Sequence, residues 1–377
     1  MRSANAQLAW DTIRREPRKG IPIWLINPME WTMIDRLAGM PGGSYEADPI
    51  PTYRRMLENS SCSMVDQWIP ENPLTIGAHG YEPGAEHGAT TGAEQIVVDG
   101  QTIAEPEDVV AHMESNIFPE LLRAIEAERV ADGNAAVAGI IQREREAQEE
   151  IGPSILKVPY SAPFPCFAYG TYGYVNYFMA YALYPELMEQ HFKLQADLAA
   201  LQNRNLARAM DDGGLPKYLR LDHDMADSRS TLADIDSLDR IWFPHFARSI
   251  QPLLDADVTM IWHCDGNLMA MVPRLLECGL RGFQGFQYED GMDYQKICAM
   301  KDRDGRELLI IAGVSVTRTL PHGTPDDVRD EMRFLVEHGP KQGLFLGGSS
   351  SIAPGVPWEN LKALVDGFAH YRRCGRG

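Results

Sequence analysis

Val258-Thr259-Met260-Ile261-Trp262-His263-Cys264-Asp265-Gly266-Asn267 is an apolar run that passes without interruption into side chains able to carry protons or bind metals. The β-branched and aromatic content of Val258 to Trp262 reads as a buried strand. Side chains alternate along a strand, so His263 and Asp265 fall on one face and Cys264 on the other. An imidazole and a carboxylate therefore stand together where a buried strand ends. Asp265 also has the alternative of capping a helix that opens near Leu268.

Moving outward, similar short apolar runs recur at Ile21 to Ile26, Ser63 to Trp68, Ile155 to Pro159, Tyr218 to Leu221, Gly282 to Gln287, Leu308 to Ala312 and Gly343 to Leu346. Helical periodicity fills the intervals, over roughly Glu107 to Glu128, Ala135 to Glu149, Tyr174 to Met210, Asp234 to Leu254, Leu268 to Cys278, Thr324 to His338 and Trp358 to Tyr371. Thr324-Pro325-Asp326-Asp327 is a well-formed helix start, with a capping hydroxyl, a proline in the first turn and acids at the positive dipole end. Eight strands alternating with helices predict an α/β chain built as a (β/α)8 barrel, residues 1–377 forming one domain. The polar start of the chain reads as an N-terminal helical extension. Residues 71–105 break the rhythm with many glycines and a hairpin across Asp99-Gly100, which reads as an insertion over the barrel mouth.

Composition narrows the function. The 377 residues are 44% hydrophobic and 23% charged, a balance suited to a substantial core. A formal charge of −18 gives no basic footprint for nucleic acid or anionic lipid. Six cysteines occur without a C-x-x-C pair, which reads as a reducing, cytoplasmic setting, and no apolar run approaches the length of a membrane span. No G-x-S-x-G, Walker-type loop or H-E-x-x-H is present.

Several segments together resemble one family. The strand followed by His263-Cys264-Asp265-Gly266-Asn267 is similar to a segment of the uroporphyrinogen decarboxylase-like superfamily. Ile21-Pro22-Ile23-Trp24, the run Leu320 to Val328, Gly347-Gly348-Ser349-Ser350-Ser351-Ile352 and Val356-Pro357-Trp358-Glu359-Asn360-Leu361 match in the expected order. The resemblance spans about Pro22 to Tyr371 and implies a TIM-type barrel with its site at the C-terminal ends of the strands.

Within that superfamily three branches differ in chemistry. The decarboxylase branch clamps a polycarboxylate porphyrinogen with arginines after the first strand; here Asn27-Pro28-Met29-Glu30-Trp31 follows, with no arginine before Arg36. The branch that methylates coenzyme M relies on a thiolate-rich zinc site, and aligned positions here are Asp265 and the neighbourhood of Ser350. Cys264, facing away from His263, reads as a small buried hydrophobe. The third branch demethylates methyl ethers, particularly methoxylated aromatics, and passes the methyl to the cobalt of a separate corrinoid protein. The pattern here most resembles that one.

The resemblance implies a corrinoid-dependent O-demethylase component of one-carbon metabolism in an anaerobic, cytoplasmic setting. Its partners would be a corrinoid protein carrying cobalamin and a small methyl donor, with a homodimer as an open possibility. His263, Asp265, Asp224 and Glu289 are the expected catalytic groups, assisting departure of a poor alkoxide or phenoxide leaving group by protonation or by a divalent ion. His263 and Asp265 are also the candidate zinc ligands. Trp24, Asn27, Tyr172, Ser349 and Ser350 are expected to contact the donor, while His223 is open between the mouth and the helix layer. The alternatives are a cofactor-independent decarboxylase of a small acid and a non-catalytic corrinoid-binding protein.

Overall fold

The computed structural model describes residues 2–24, 27–70 and 96–376. In chain order the strands are β1 Met64–Val65, β2 Ile96–Val98, β3 Gln101–Ile103, β4 Leu156–Lys157, β5 Tyr218–Asp222, β6 Thr259–His263, β7 Gly282–Gln284, β8 Leu309–Val314 and β9 Leu344–Gly348. β5 through β9 pair in sequence order, and all four junctions are parallel. At the far edge Ile23 bridges Leu346 of β9, Trp24 bridges Met64 of β1, and β1 pairs in parallel with β4. The bridge at Ile23–Trp24 thus joins the two sheets into one ribbon, β5-β6-β7-β8-β9, then Ile23–Trp24, then β1-β4, occupying every expected strand position.

A barrel would also join β4 to β5. Among the described residues no backbone ladder does so, and the ring of hydrogen bonds is open at that seam. Side chains cross it instead: the Tyr160 hydroxyl, just after β4, donates to Asp222 Oδ2 of β5 at 3.3 Å. β6, β8 and β9 are buried at every position because helices cover one face and the interior the other, which is why they read as unbroken apolar runs.

The helices follow the expected intervals, with breaks placed by proline. The long segment from Tyr174 divides into Tyr174–Leu183 and Pro185–Gly213, and the one from Asp234 divides into Ile235–Ile241 and Phe243–Asp255, with Pro244 in the first turn. Proline lacks the amide a continuing helix needs and fits best in the first turn, although Phe243–Asp255 also carries Pro252 in its interior. Ahead of Pro119 the chain forms one π-helical turn, Met113–Ile117, with Phe118 N–H reaching Met113 O. The Thr324 start holds as a capping box with Asp327. The segment from Leu268 is helical only over Val272–Glu277.

The N-terminal helix, Ala4–Ile13, is capped by Ser3 and lies against the entry ends of β1 and β4, where Asn5 donates to Cys62 O and Ser154 O at 2.7 and 3.0 Å. The hairpin β2–β3 forms across Asp99 and Gly100, both at positive φ of 49° and 78°. Buried His112 ties Asp99 and Tyr172 together, at 3.2 and 2.9 Å from its two ring nitrogens. Residues 71–95 of the expected insertion lie outside the described residues. Among the described residues no helix is long and apolar enough to cross a membrane.

Candidate active site

A cavity of about 330 Å³ opens where the strands end. Trp24 and Asn27 line it from the first strand position, Gln67 from beyond β1, Tyr160 from beyond β4, Arg220 and Asp222 from β5, His263 from β6, Gln284 from β7, and Ser350 and Ser351 from beyond β9. Larger hollows of about 530 and 470 Å³ lie at the opposite end, near Gly214 to Pro216. Their cations are largely spent on internal pairs, such as Lys217 with Asp211 at 2.6 Å and Arg281 with Asp257 at 2.7 Å. The chemistry is in the smaller cavity.

The parallel register sets Asp222 beside His263, so the two side chains share the interior face, with His263 Nε2 3.9 Å from Asp222 Oδ1. Alternation sends Trp262 outward onto Trp242 and Phe246, while Cys264 Sγ accepts from the Met225 amide at 3.3 Å. Burial pushes the Cys264 thiol well above its usual range, leaving a neutral packing group. Gly285, at φ +85°, lies against the imidazole: a Cβ there would come within 2.7 Å of His263 Nδ1. That nitrogen has no hydrogen-bond partner.

Asp265 sits beside the cavity, its Oδ2 accepting from Ser350 Oγ at 3.2 Å and its amide donating to Asp224 Oδ1 at 3.0 Å. Burial raises its pKa above the ordinary carboxylate range, opposed by His263 and assisted by Asp224, and Oδ1 has no partner. On the other wall Arg220 donates from Nε to Asp66 at 2.6 Å and from Nη1 to Asp222 at 2.7 Å. The rings of Trp24 and Tyr160 lie 5.2 and 5.3 Å from the guanidinium. Burial alone would raise Asp66, but the Arg220 charge and hydrogen bond outweigh it and hold the carboxyl below its usual range.

Residues 224–371 match the family described as Uroporphyrinogen decarboxylase (URO-D). The similarity to the uroporphyrinogen decarboxylase family covers rather less than half of the chain. Among solved structures it is similar to a methyltransferase from Methanosarcina mazei, at 18% identity and a TM-score of 0.59, covering 97% of this chain and 98% of that one. It also overlaps a B12-independent methionine synthase from Shewanella sp. W3-18-1 solved with selenomethionine, at 13% identity, a TM-score of 0.41 and coverage of 62% and 66%. No curated protein sequence matches the chain.

Of the site residues expected from the sequence, His263, Trp24, Asn27 and Ser350 line the cavity, and Asp265 reaches it through Ser350. Asp224 does not: β5 ends at Asp222, the chain turns, and Asp224 is exposed. The carboxylate facing the interior is Asp222. His223 packs into the aromatic layer, stacked on Tyr169, where its Nε2 accepts from the Phe167 amide at 2.9 Å and burial lowers its pKa to about 4. Tyr172 is buried away from the cavity, bonded to His112. Ser349 is also buried, its Oγ accepting from the Val316 amide and its carbonyl from Gln284, so it supports the wall without lining it. Glu289 lies in the short turn Tyr288–Asp290, and its side chain is outside the described atoms.

Among the described residues no three His, Cys, Asp or Glu side chains are grouped as a metal-binding cluster. Sequence reading overlooked Arg220, Asp222, Asp66 and Gln284. The signal was present in Tyr218-Leu219-Arg220-Leu221-Asp222, where charges two apart interrupt an apolar strand and must share one face.

Proposed function

We propose that this chain is a methyltransferase that removes the methyl group of a small methyl ether, such as a methoxylated aromatic, and passes it to the cobalt of a corrinoid carried by a partner protein. The observation that carries the reading is Asp265: a carboxyl raised by burial, its other oxygen buried without a partner, joined through Ser350 to a cavity that His263 lines. Such a group keeps a proton at a pH where ordinary carboxylates have lost theirs. Similarity of fold to the Methanosarcina methyltransferase supports the reading at the level of architecture.

The methyl acceptor in such a transfer is a strong nucleophile and needs no activation by the protein. What the protein must supply is help for the leaving oxygen. As the methyl carbon–oxygen bond breaks, its electron pair stays on oxygen, and Asp265 delivers the proton that makes a neutral alcohol or phenol. Ser350 fixes the carboxyl, and His263, placed between Asp222 and Gly285, returns the proton for the next turnover.

The test is Asp265→Asn, mixed with cob(I)alamin and a panel of methoxyarenes. The unaltered protein should form methylcobalamin with loss of the Co(I) absorbance, at a rate that falls as pH rises through the raised Asp265 pKa. The variant should lose about 10²–10⁴-fold in rate, the usual worth of a general acid. A fully active variant, or no methylcobalamin from any ether with active corrinoid present, overturns the assignment.

A further inference from the structure

The cavity also specifies what kind of ether it takes. Arg220 is the one arginine or lysine among the described lining residues, and it faces two carboxylates, Asp66 at 2.6 Å and Asp222 at 2.7 Å. Two negative charges against one positive leave that wall net negative. A carboxylate on the substrate would meet a like charge and no free cation, which is unfavourable at short range in a partly desolvated site.

The unpartnered atoms on the same walls point the same way. Asn27 donates its amide nitrogen to Ser351 Oγ at 3.0 Å and Gln284 donates to Ser349 O at 3.1 Å, leaving Asn27 Oδ1 and Gln284 Oε1 as buried acceptors without donors. Trp24 Nε1 is a buried donor without an acceptor. All three side chains are more than nine-tenths buried, at 8%, 3% and 6% exposure, in contact with the cavity. An ionised carboxylate can only accept and an ammonium can only donate, whereas a hydroxyl does both. Leaving such atoms unpaired costs about 1–3 kcal/mol each, so a ligand that pairs them is selected. At about 330 Å³ the cavity stands at the small end of ligand sites, which run from about 300 to 1,000 Å³ and so admits a single ring with substituents.

We infer that the methyl donor is a ring-sized ether carrying free hydroxyl groups and no carboxylate. This deepens the proposed methyl transfer and rests on it for the reaction, while the binding preference stands on the cavity alone. Phenolic and sugar-like ethers share the required chemistry.

The experiment is direct calorimetric binding to the full chain, without corrinoid, of 2-methoxyphenol, of its carboxylated counterpart 4-hydroxy-3-methoxybenzoate and of 3-O-methylglucose. The expected result is that 2-methoxyphenol or 3-O-methylglucose binds at least tenfold more tightly than the carboxylate; which of the two neutral ligands prevails tells phenol from sugar. Asp222→Asn releases Arg220 from one of its two carboxylates and should raise affinity for the benzoate at least tenfold, a gain that misfolding cannot produce. Equal or tighter binding of the benzoate to the unaltered protein overturns the inference, as does failure of both neutral ligands to bind or of the variant to gain. Methyl transfer is read separately: neutral binding without methylcobalamin sinks the reaction and leaves the ligand class, and transfer from the benzoate in preference sinks the ligand class and leaves the reaction.

Discussion

Replacing Gly285 by alanine puts a methyl group 2.7 Å from His263 Nδ1, at a φ of +85° that side chains rarely adopt. The imidazole must then rotate away from Asp222, at a strain of about 1–3 kcal/mol. Gly285→Ala is expected to lower the rate of methyl transfer at least tenfold while the far-ultraviolet circular dichroism stays unchanged. Asp265 makes a second prediction at this scale. A carboxyl whose folded pKa is raised binds more protons folded than unfolded, so its contribution to stability is lost as pH rises from the usual carboxylate range through the raised value. Asp265→Asn should therefore raise the melting temperature at neutral pH and change it little in acid, as a thermal scan at the two pH values will show. The partnership of His263 with Asp265 was legible because strand alternation is simple geometry. That Asp222, and not Asp224, faces the interior was not legible, because where a strand ends depends on the turn beyond it and no rule of period two states that.

Arg220 ties β5 to the chain beyond β1, passing the end of β4, where backbone pairing between β4 and β5 is missing among the described residues. Both Arg220 and Asp66 are buried, so removing one partner strands a charge, at a cost of about 3–5 kcal/mol. Arg220→Met should unfold at correspondingly lower urea concentration, and adding Asp66→Leu should restore part of the loss. Since Asp66 is held below its usual range, its contribution is complete above that range and fades as pH falls through the lowered value. The strands themselves were readable from apolar runs because both faces are covered. Helix breaks at Tyr184 and Trp242 were marked in the sequence by Pro185 and Pro244, yet periodicity continues across them and masks the interruption. Tyr172 was misplaced for a related reason: aromatic clustering identifies a crowded region and is silent on which ring faces inward.

The family match covers residues 224–371, but the wall of strands does not begin there. Ile23 and Trp24 lie between β9 and β1, and the amide of Ile21 donates to Tyr371 O at 3.1 Å, so the first strand position is laced to the last helix. Residues 224–371 produced alone would expose the edge of β9 and lack β5. They are expected to give no cooperative melt, whereas the full chain should give one transition by calorimetry. Circular order was legible because alternating strands and helices leave few topologies. Whether the circle closes was not, since that depends on two short strands finding register across a gap.

The unlaced boundary between β4 and β5 has a consequence for how the chamber works. Tyr160 and Asp222 are at once the rivets of that boundary and part of the chamber's lining, so whatever occupies the chamber presses on the rivets themselves. Occupancy and wall integrity become one quantity: a guest that engages both side chains stiffens the cylinder where it is least braced. Amide exchange along 156–160 and 218–222 should slow when the chamber fills, and slow more there than anywhere else in the ribbon.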